Sequence, residues 1–229
     1  MEINKLYNYE KLERVTAESG SRYYVSPTGD HLSSVTTILS ATSYSPELEA
    51  WQKRVGLVEA ERVRVEATGL GSLMHTHLEN YVMGEDRPGG SNVVRVMAKQ
   101  MADQVIEKGL RNVDEVWGME EILYYPKLYA GTSDLIGIHQ GKAAIMDYKT
   151  CRKMKKKSTI TDYSLQGAAY ALAHDLIHGT NIEKVVIFMV SRDLDFQEYV
   201  WEGDEFAQAK ELWLSRLEAF HATNAKLGQ

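Results

Sequence analysis

The sequence predicts a mixed α/β domain whose central sheet is covered by helices on both faces. Three observations carry the prediction. Helical patterning dominates the chain as far as Gly109, whereas aromatic and β-branched residues dominate Glu115–Thr150. Val185–Val190 is a continuous apolar run, the mark of a strand buried on both sides. A helical pattern over Thr161–His178 separates these strand-rich stretches, so the order is helices, three strands, helix, two strands, helix. With 229 residues, 44% hydrophobic and 25% charged, the chain has the make-up of one soluble globular domain. It hides roughly 70% of its unfolded surface and needs neither disulfide nor metal to fold.

From the N-terminus, Glu10–Val25 alternates around Gly20 and reads as a β-hairpin. Pro46 reads as the first-turn proline of a helix capped by Ser45, with Glu47 and Glu49 near its positive end. That helical region continues to about Val82, with a break expected at Gly69 and Gly71. After Pro88-Gly89-Gly90 a second helix runs to about Gly109. Strands follow over Glu115–Tyr125, Tyr129–His139 and Lys142–Thr150, the first two separated by Pro126-Lys127. Gly179 stops the helix Thr161–His178. A strand over Phe196–Trp201 precedes a C-terminal helix capped by Asp204.

Composition narrows the function classes. The single cysteine, Cys151, excludes an internal disulfide framework and a four-cysteine zinc or iron–sulfur site. Met1-Glu2-Ile3-Asn4-Lys5 carries no apolar signal, and no stretch approaches the roughly 20 apolar residues of a membrane span. A soluble intracellular protein with no membrane partner is therefore expected. The net charge of −6 does not suit a protein coated in nucleic acid, although a local basic patch can still steer a polyanion. Arg152, Lys153, Lys155, Lys156 and Lys157 form the candidate patch.

The most informative region holds two acids. With Gln140-Gly141 as a two-residue turn, His139 faces Lys142, and counting back sets Asp134 opposite Asp147. Opposed Cβ atoms lie roughly 4.5–5.5 Å apart. Two carboxylates at about 5 Å repel by roughly 3 kcal/mol at an effective dielectric of about 20. Between strands otherwise as apolar as Leu135-Ile136 and Ile145-Met146, a hard divalent cation is the simplest remedy. Lys149 projects from the same face as Asp147. Two carboxylates and an ammonium are a set that can activate water and stabilise a phosphoryl transition state. The bland alternative is a hairpin with exposed aspartates and a lysine salt bridge. His75 and Glu79 share one helix face, as do Gln166 and Tyr170; either pair alone could be ordinary helix surface or packing. His75 and His77 point away from each other, so they cannot bind one zinc ion together.

These residues occur as ordered motifs: Gly71 to His75 to Glu79, Gly131 to Asp134, Asp147-Tyr148-Lys149-Thr150, and Gln166 to Tyr170. The sequence resembles the RecB-like branch of the PD-(D/E)xK nucleases over nearly half the chain. Residues 24–51, with Ser33-Ser34-Val35-Thr36-Thr37, more softly resemble mitochondrial genome maintenance exonuclease and its viral relatives. The resemblance implies a restriction-endonuclease-like core within one domain: a substrate-access region over 1–70, a catalytic core over 71–200 and a C-terminal helix over 201–229. It also implies a DNA exonuclease that favours single strands with a free end and uses one or two Mg²⁺ or Mn²⁺ ions. Such an enzyme serves replication, recombination or repair, where proteins of those processes are possible partners.

Carried over by position, Asp134, Asp147, His75 and the Met146 carbonyl bind metal, and the imidazole shifts preference somewhat toward Mn²⁺. Lys149 orients water and phosphate, while Gln166 and Tyr170 position substrate or the lysine. Glu79 and Glu121 are candidate supporting groups, and the basic run binds nucleic acid. The iron–sulfur cysteines of some RecB-like members are absent, so no cluster is expected. The rival readings are a catalytically silent nucleic-acid-binding module on the same fold, a structure-specific endonuclease, and a hydrolase of small phosphates or peptides.

Overall fold

Two sheets organise the chain. The computed structural model describes residues 1–17 and 22–227; the expected turn at Gly20 and the side chain of Glu47 lie outside the described residues. The main sheet contains β1 (Glu2–Ile3), β5 (Val113–Tyr125), β6 (Tyr129–His139), β7 (Lys142–Cys151), β8 (Lys184–Ser191) and β9 (Phe196–Glu202), in that spatial order. The β1/β5 and β7/β8 pairs are parallel and the others antiparallel. The small antiparallel sheet holds β2 (Glu13–Thr16), β3 (Arg22–Val25) and β4 (His31–Ser33). The helices are α1 (Val35–Thr42), α2 (Pro46–Val55), α3 (Leu57–Met83), α4 (Val93–Lys108), α5 (Thr161–His178) and α6 (Gly203–Leu227).

The alternating side chains of the main sheet feed two cores. On one face Ile136, Ile145, Val185 and Ile187 pack with Ile38 of α1, Leu165 and Ala169 of α5 and Trp213 of α6. On the other, Leu135, Met146, Val186 and Phe188 pack with Met74 and Leu78 of α3 and Met101 of α4. Every residue of β8 is buried, as its unbroken apolar run requires. A third, smaller core of Leu12, Tyr24, Leu32 and Ala130 fixes the small sheet to β6.

Several local expectations need correction. The helical break falls at Gly56, whose φ of 83° lies outside helical space, while Gly69 and Gly71 sit inside an unbroken α3. Ser45 occupies the N-cap of α2 but makes no side-chain capping bond. Asp204 lies in the first turn of α6, not at its cap. The helix α1 was not anticipated; Ser34 caps it by accepting from the Thr37 N–H at 3.0 Å.

Candidate active site

The β6/β7 hairpin has the register that its sequence predicts. His139 pairs with Lys142, and the ladder continues to Leu135 opposite Met146. Gln140 and Gly141 have φ of 47° and 75°, the positive pair of a type I′ turn. At the next position the ladder opens, and Asp134 Oδ2 accepts the Tyr148 N–H at 2.8 Å. The two acids are thus neighbours at the point where two strands part. Both are buried, and burial raises the pKa of each. The nearby Asp134 charge adds to this at Asp147, which is lifted to about 6.

α3 delivers His75 from the opposite face of the sheet. Its Nε2 lies 3.0 Å from the Tyr148 carbonyl oxygen, so Nε2–H donates there. Its Nδ1 then faces Asp134 Oδ2 at 3.6 Å and Glu120 Oε1 at 3.7 Å. Burial opposes charge on the imidazole, but the Asp134 charge, the Glu120 hydrogen bond and the Asp147 charge outweigh it and raise its pKa to about 9. Ligand atoms of His75, Glu120 and Asp134 all lie within 4.8 Å of one another. One imidazole nitrogen and carboxylate oxygens this close fit a divalent cation.

Glu120 takes the place that the sequence offered to Glu121. Glu121 pairs with Ser133 and turns toward a separate cavity beside Lys5 and Tyr9. The signal was available: with Tyr125 opposite Tyr129, the same count sets Glu120 level with Asp134. Met146, whose carbonyl was expected to serve as a ligand, is paired with Leu135; the carbonyl that reaches His75 is that of Tyr148. Glu79 is exposed on the cleft rim, where partial desolvation and the Glu120 charge raise its pKa.

From α5, Gln166 Nε2 donates to Asp147 Oδ1 at 3.1 Å and to the Tyr170 hydroxyl at 3.3 Å. Lys149 Nζ lies 2.5 Å from Asp147 Oδ2 and 5.1 Å from the centre of the Tyr163 ring. Burial favours a neutral amine, but the charges of Asp147 and Asp134 dominate and raise the Lys149 pKa. Tyr170 packs so closely on Gly131 that a Cβ there would lie 2.6 Å from its ring. Glycine is needed at that position of β6.

The side chains of the basic run do not lie in one row. Lys155 Nζ shares the Tyr163 ring with Lys149, at 5.7 Å from its centre. Lys157 is paired with Glu205 at 2.5 Å and lies over Trp201. Arg152 borders a different cavity with Arg62, Glu66 and Arg192. Lys153 and Lys156 are exposed. The sequence reading also missed a wall of the cleft. Arg14 and Arg22 of the small sheet, with Ser34 and Thr36, line a cavity of about 330 Å³ holding His75, Glu120, Asp134, Asp147, Lys149, Gln166 and Tyr170.

A crystal structure of a "Putative exonuclease" from Eubacterium rectale is similar, at 13% identity and TM-score 0.50, over 68% of this chain and 67% of that one. The likeness is one of fold. Crystal structures of SSO0001 (14% identity, 81% of this chain and 84% of that one) and of VC1899 from Vibrio cholerae (12%, 92% and 69%) have TM-scores of 0.39 and 0.23, too low to bear on the fold. No protein-family model matches the chain, and no curated protein matches it by sequence. No helix among the described residues is long and apolar enough to cross a membrane.

Proposed function

We propose that this chain is a metal-dependent DNA exonuclease that hydrolyses phosphodiester bonds from a free end, prefers single strands, and serves DNA replication, recombination or repair. The observation that carries the reading is one cleft in which the His75–Glu120–Asp134 cluster adjoins the Asp147–Lys149 pair. The fold shared with the Eubacterium rectale protein, itself called a "Putative exonuclease", supports it.

His75, Glu120 and Asp134 would hold the ion, with Asp147 beside them. A divalent cation supplies Lewis-acid charge to phosphoryl oxygens and lowers the pKa of water. His75 donates Nε2–H to Tyr148 and so turns Nδ1 toward the carboxylates, where an ion would replace the proton that they hold on Nδ1. Lys149, charged and held by Asp147, donates to a phosphate oxygen or orients the attacking water. Gln166 fixes Asp147 and is itself braced by Tyr170.

Digestion of end-labelled linear and circular single-stranded DNA in Mn²⁺ tests the reading. Linear strands should shorten from an end while circles survive. Cut circles would make the protein an endonuclease, and binding without cleavage of either substrate would make it a non-catalytic module. Asp147→Asn and Lys149→Ala should each lower cleavage by about two orders of magnitude or more, since each removes transition-state charge stabilisation. Near-wild-type turnover in either variant would remove the mechanism.

A further inference from the structure

The small sheet presents two arginines to the cleft. Arg14 lies opposite Tyr24 across β2/β3, and Arg22 is two residues from Tyr24 on the same strand, so all three share a face. Tyr24 fixes which way that face looks: its hydroxyl lies 3.1 Å from Thr132 Oγ1 on β6, two residues before Asp134. The sheet is held there by the small core of Leu12, Tyr24, Leu32 and Ala130 and by a bridge between Ser34 and Ala130. Arg22 is further tethered by donating to Thr36 Oγ1 at 2.7 Å.

Both arginines line the cavity that holds the acids, and Arg22 also borders an adjoining cavity of about 630 Å³ containing His75, Glu120 and Lys149. The ion pairs of the site join His75 to Glu120 and Asp134, and Lys149 to Asp147; among the described residues none reaches Arg14 or Arg22. Two guanidinium groups with no carboxylate partner among the described residues therefore face a carboxylate cluster across a cavity. A phosphate group suits that gap, because the planar guanidinium fork can donate two parallel hydrogen bonds to phosphate oxygens.

We propose that Arg14 and Arg22 form a phosphate clamp, gripping the backbone phosphate next to the one at the His75–Glu120–Asp134 cluster, so that the strand passes between the small sheet and β6–β7. This rests on the nucleic-acid reading given above. The clamp gives affinity without reading bases, as phosphate contacts do.

The test is binding of a fluorescein-labelled oligothymidylate, followed by anisotropy in EDTA, where cleavage cannot occur. Arg14→Gln combined with Arg22→Gln should weaken binding roughly tenfold or more and flatten log K against log salt by about 1.4, at about 0.7 for each of two lost phosphate contacts. On an oligonucleotide with neutral methylphosphonate linkages, wild type and variant should bind alike. Arg64→Gln removes one positive charge, against the two of the clamp variant, from the outer side of α3, where Arg64 pairs with Glu61, and should change little. Arg14→Lys with Arg22→Lys keeps the charge and should recover part of the affinity. The clamp is overturned by an unchanged salt slope, by a loss no larger than that of Arg64→Gln, or by lysines no better than glutamines. Clamp behaviour without cleavage in Mn²⁺ would remove the exonuclease reading alone. Cleavage with an unaltered salt slope would remove the clamp alone, and a wild-type chain that binds no nucleic acid would remove both.

Discussion

Glu120 adopts a φ of 52°, a left-handed conformation that costs a residue with a Cβ roughly 1–2 kcal/mol. The strain turns its carboxylate toward His75 Nδ1 while Glu121 stays in register with Ser133. Function and stability should therefore move in opposite directions. Glu120→Gly relieves the backbone and removes a negative charge from a crowded site, so the metal-free melting temperature should hold or rise. Mn²⁺ affinity by calorimetry should fall in Glu120→Gly and also in Glu120→Gln; unchanged affinity in both would exclude Glu120 as a ligand. The two histidines of α3 should also separate. His75→Ala should cut turnover severely and recover partly at high Mn²⁺. His77, which points away from His75, is 1% exposed, so His77→Ala should lower the melting temperature without affecting turnover per folded molecule. If His77 controls turnover and His75 does not, the site has been built on the wrong face of α3. Asp134, Asp147 and Lys149 were legible because one short turn sets their register. Glu120 was missed because no turn was counted for the preceding hairpin.

At the scale of elements, the contact between β6 and α5 carries a chain of dependence. Gly131 admits the Tyr170 ring, Tyr170 braces Gln166, and Gln166 holds Asp147. Gly131→Ala should push the ring away and lower kcat about tenfold or more, with KM little changed, because a small misplacement of a reacting group is costly. Adding Gly131→Ala to Tyr170→Ala should then have almost no further effect, since the clash has gone. A fully additive double variant would show that the glycine acts elsewhere. The strands and α5 were legible from period and breakers. α1 was not, because Val35–Thr42 is short and rich in β-branched residues, which read as strand or loop. The break at Gly56 was hidden because Gly69 and Gly71 offered a more conspicuous pair.

At the scale of the whole molecule, the N-terminal segment reaches back over the main sheet. Tyr7 and Tyr9 pack against His174, His178 and Trp117, and the Tyr9 hydroxyl lies 3.1 Å from His174 Nε2. His174 Nδ1 lies 2.7 Å from Thr180 Oγ1. Burial and the neighbouring His178 depress the His174 pKa from 6.5 to about 4. Between those values the unfolded chain takes a proton that the folded chain refuses, so this group lowers stability as pH falls from about 6.5 toward 4. Asp147, raised to about 6, acts in the opposite sense. Denaturant melts across that range should show a shallower loss in His174→Gln than in wild type, whatever its stability at neutral pH. An equal slope would assign the acid loss to other groups. None of this packing was readable from local pattern, nor was the small sheet as a wall of the cleft: Tyr9 and His174 are 165 residues apart, and Tyr24 and Thr132 are 108 apart.

The type I′ turn at Gln140-Gly141 also implies an order of assembly. Asp134 and Tyr148 meet across only 14 residues, whereas His75 must find Tyr148 across 73. An isolated hairpin closes in roughly 1–10 μs, long before contacts of high sequence separation form. The two aspartates are therefore brought together early, while the hairpin is still wet and the water between them screens their repulsion. Docking of α3 and α5 dries the site afterwards. The nascent chain thus meets the electrostatic cost of its acidic pair last, when Lys149, His75 and a cation can share it.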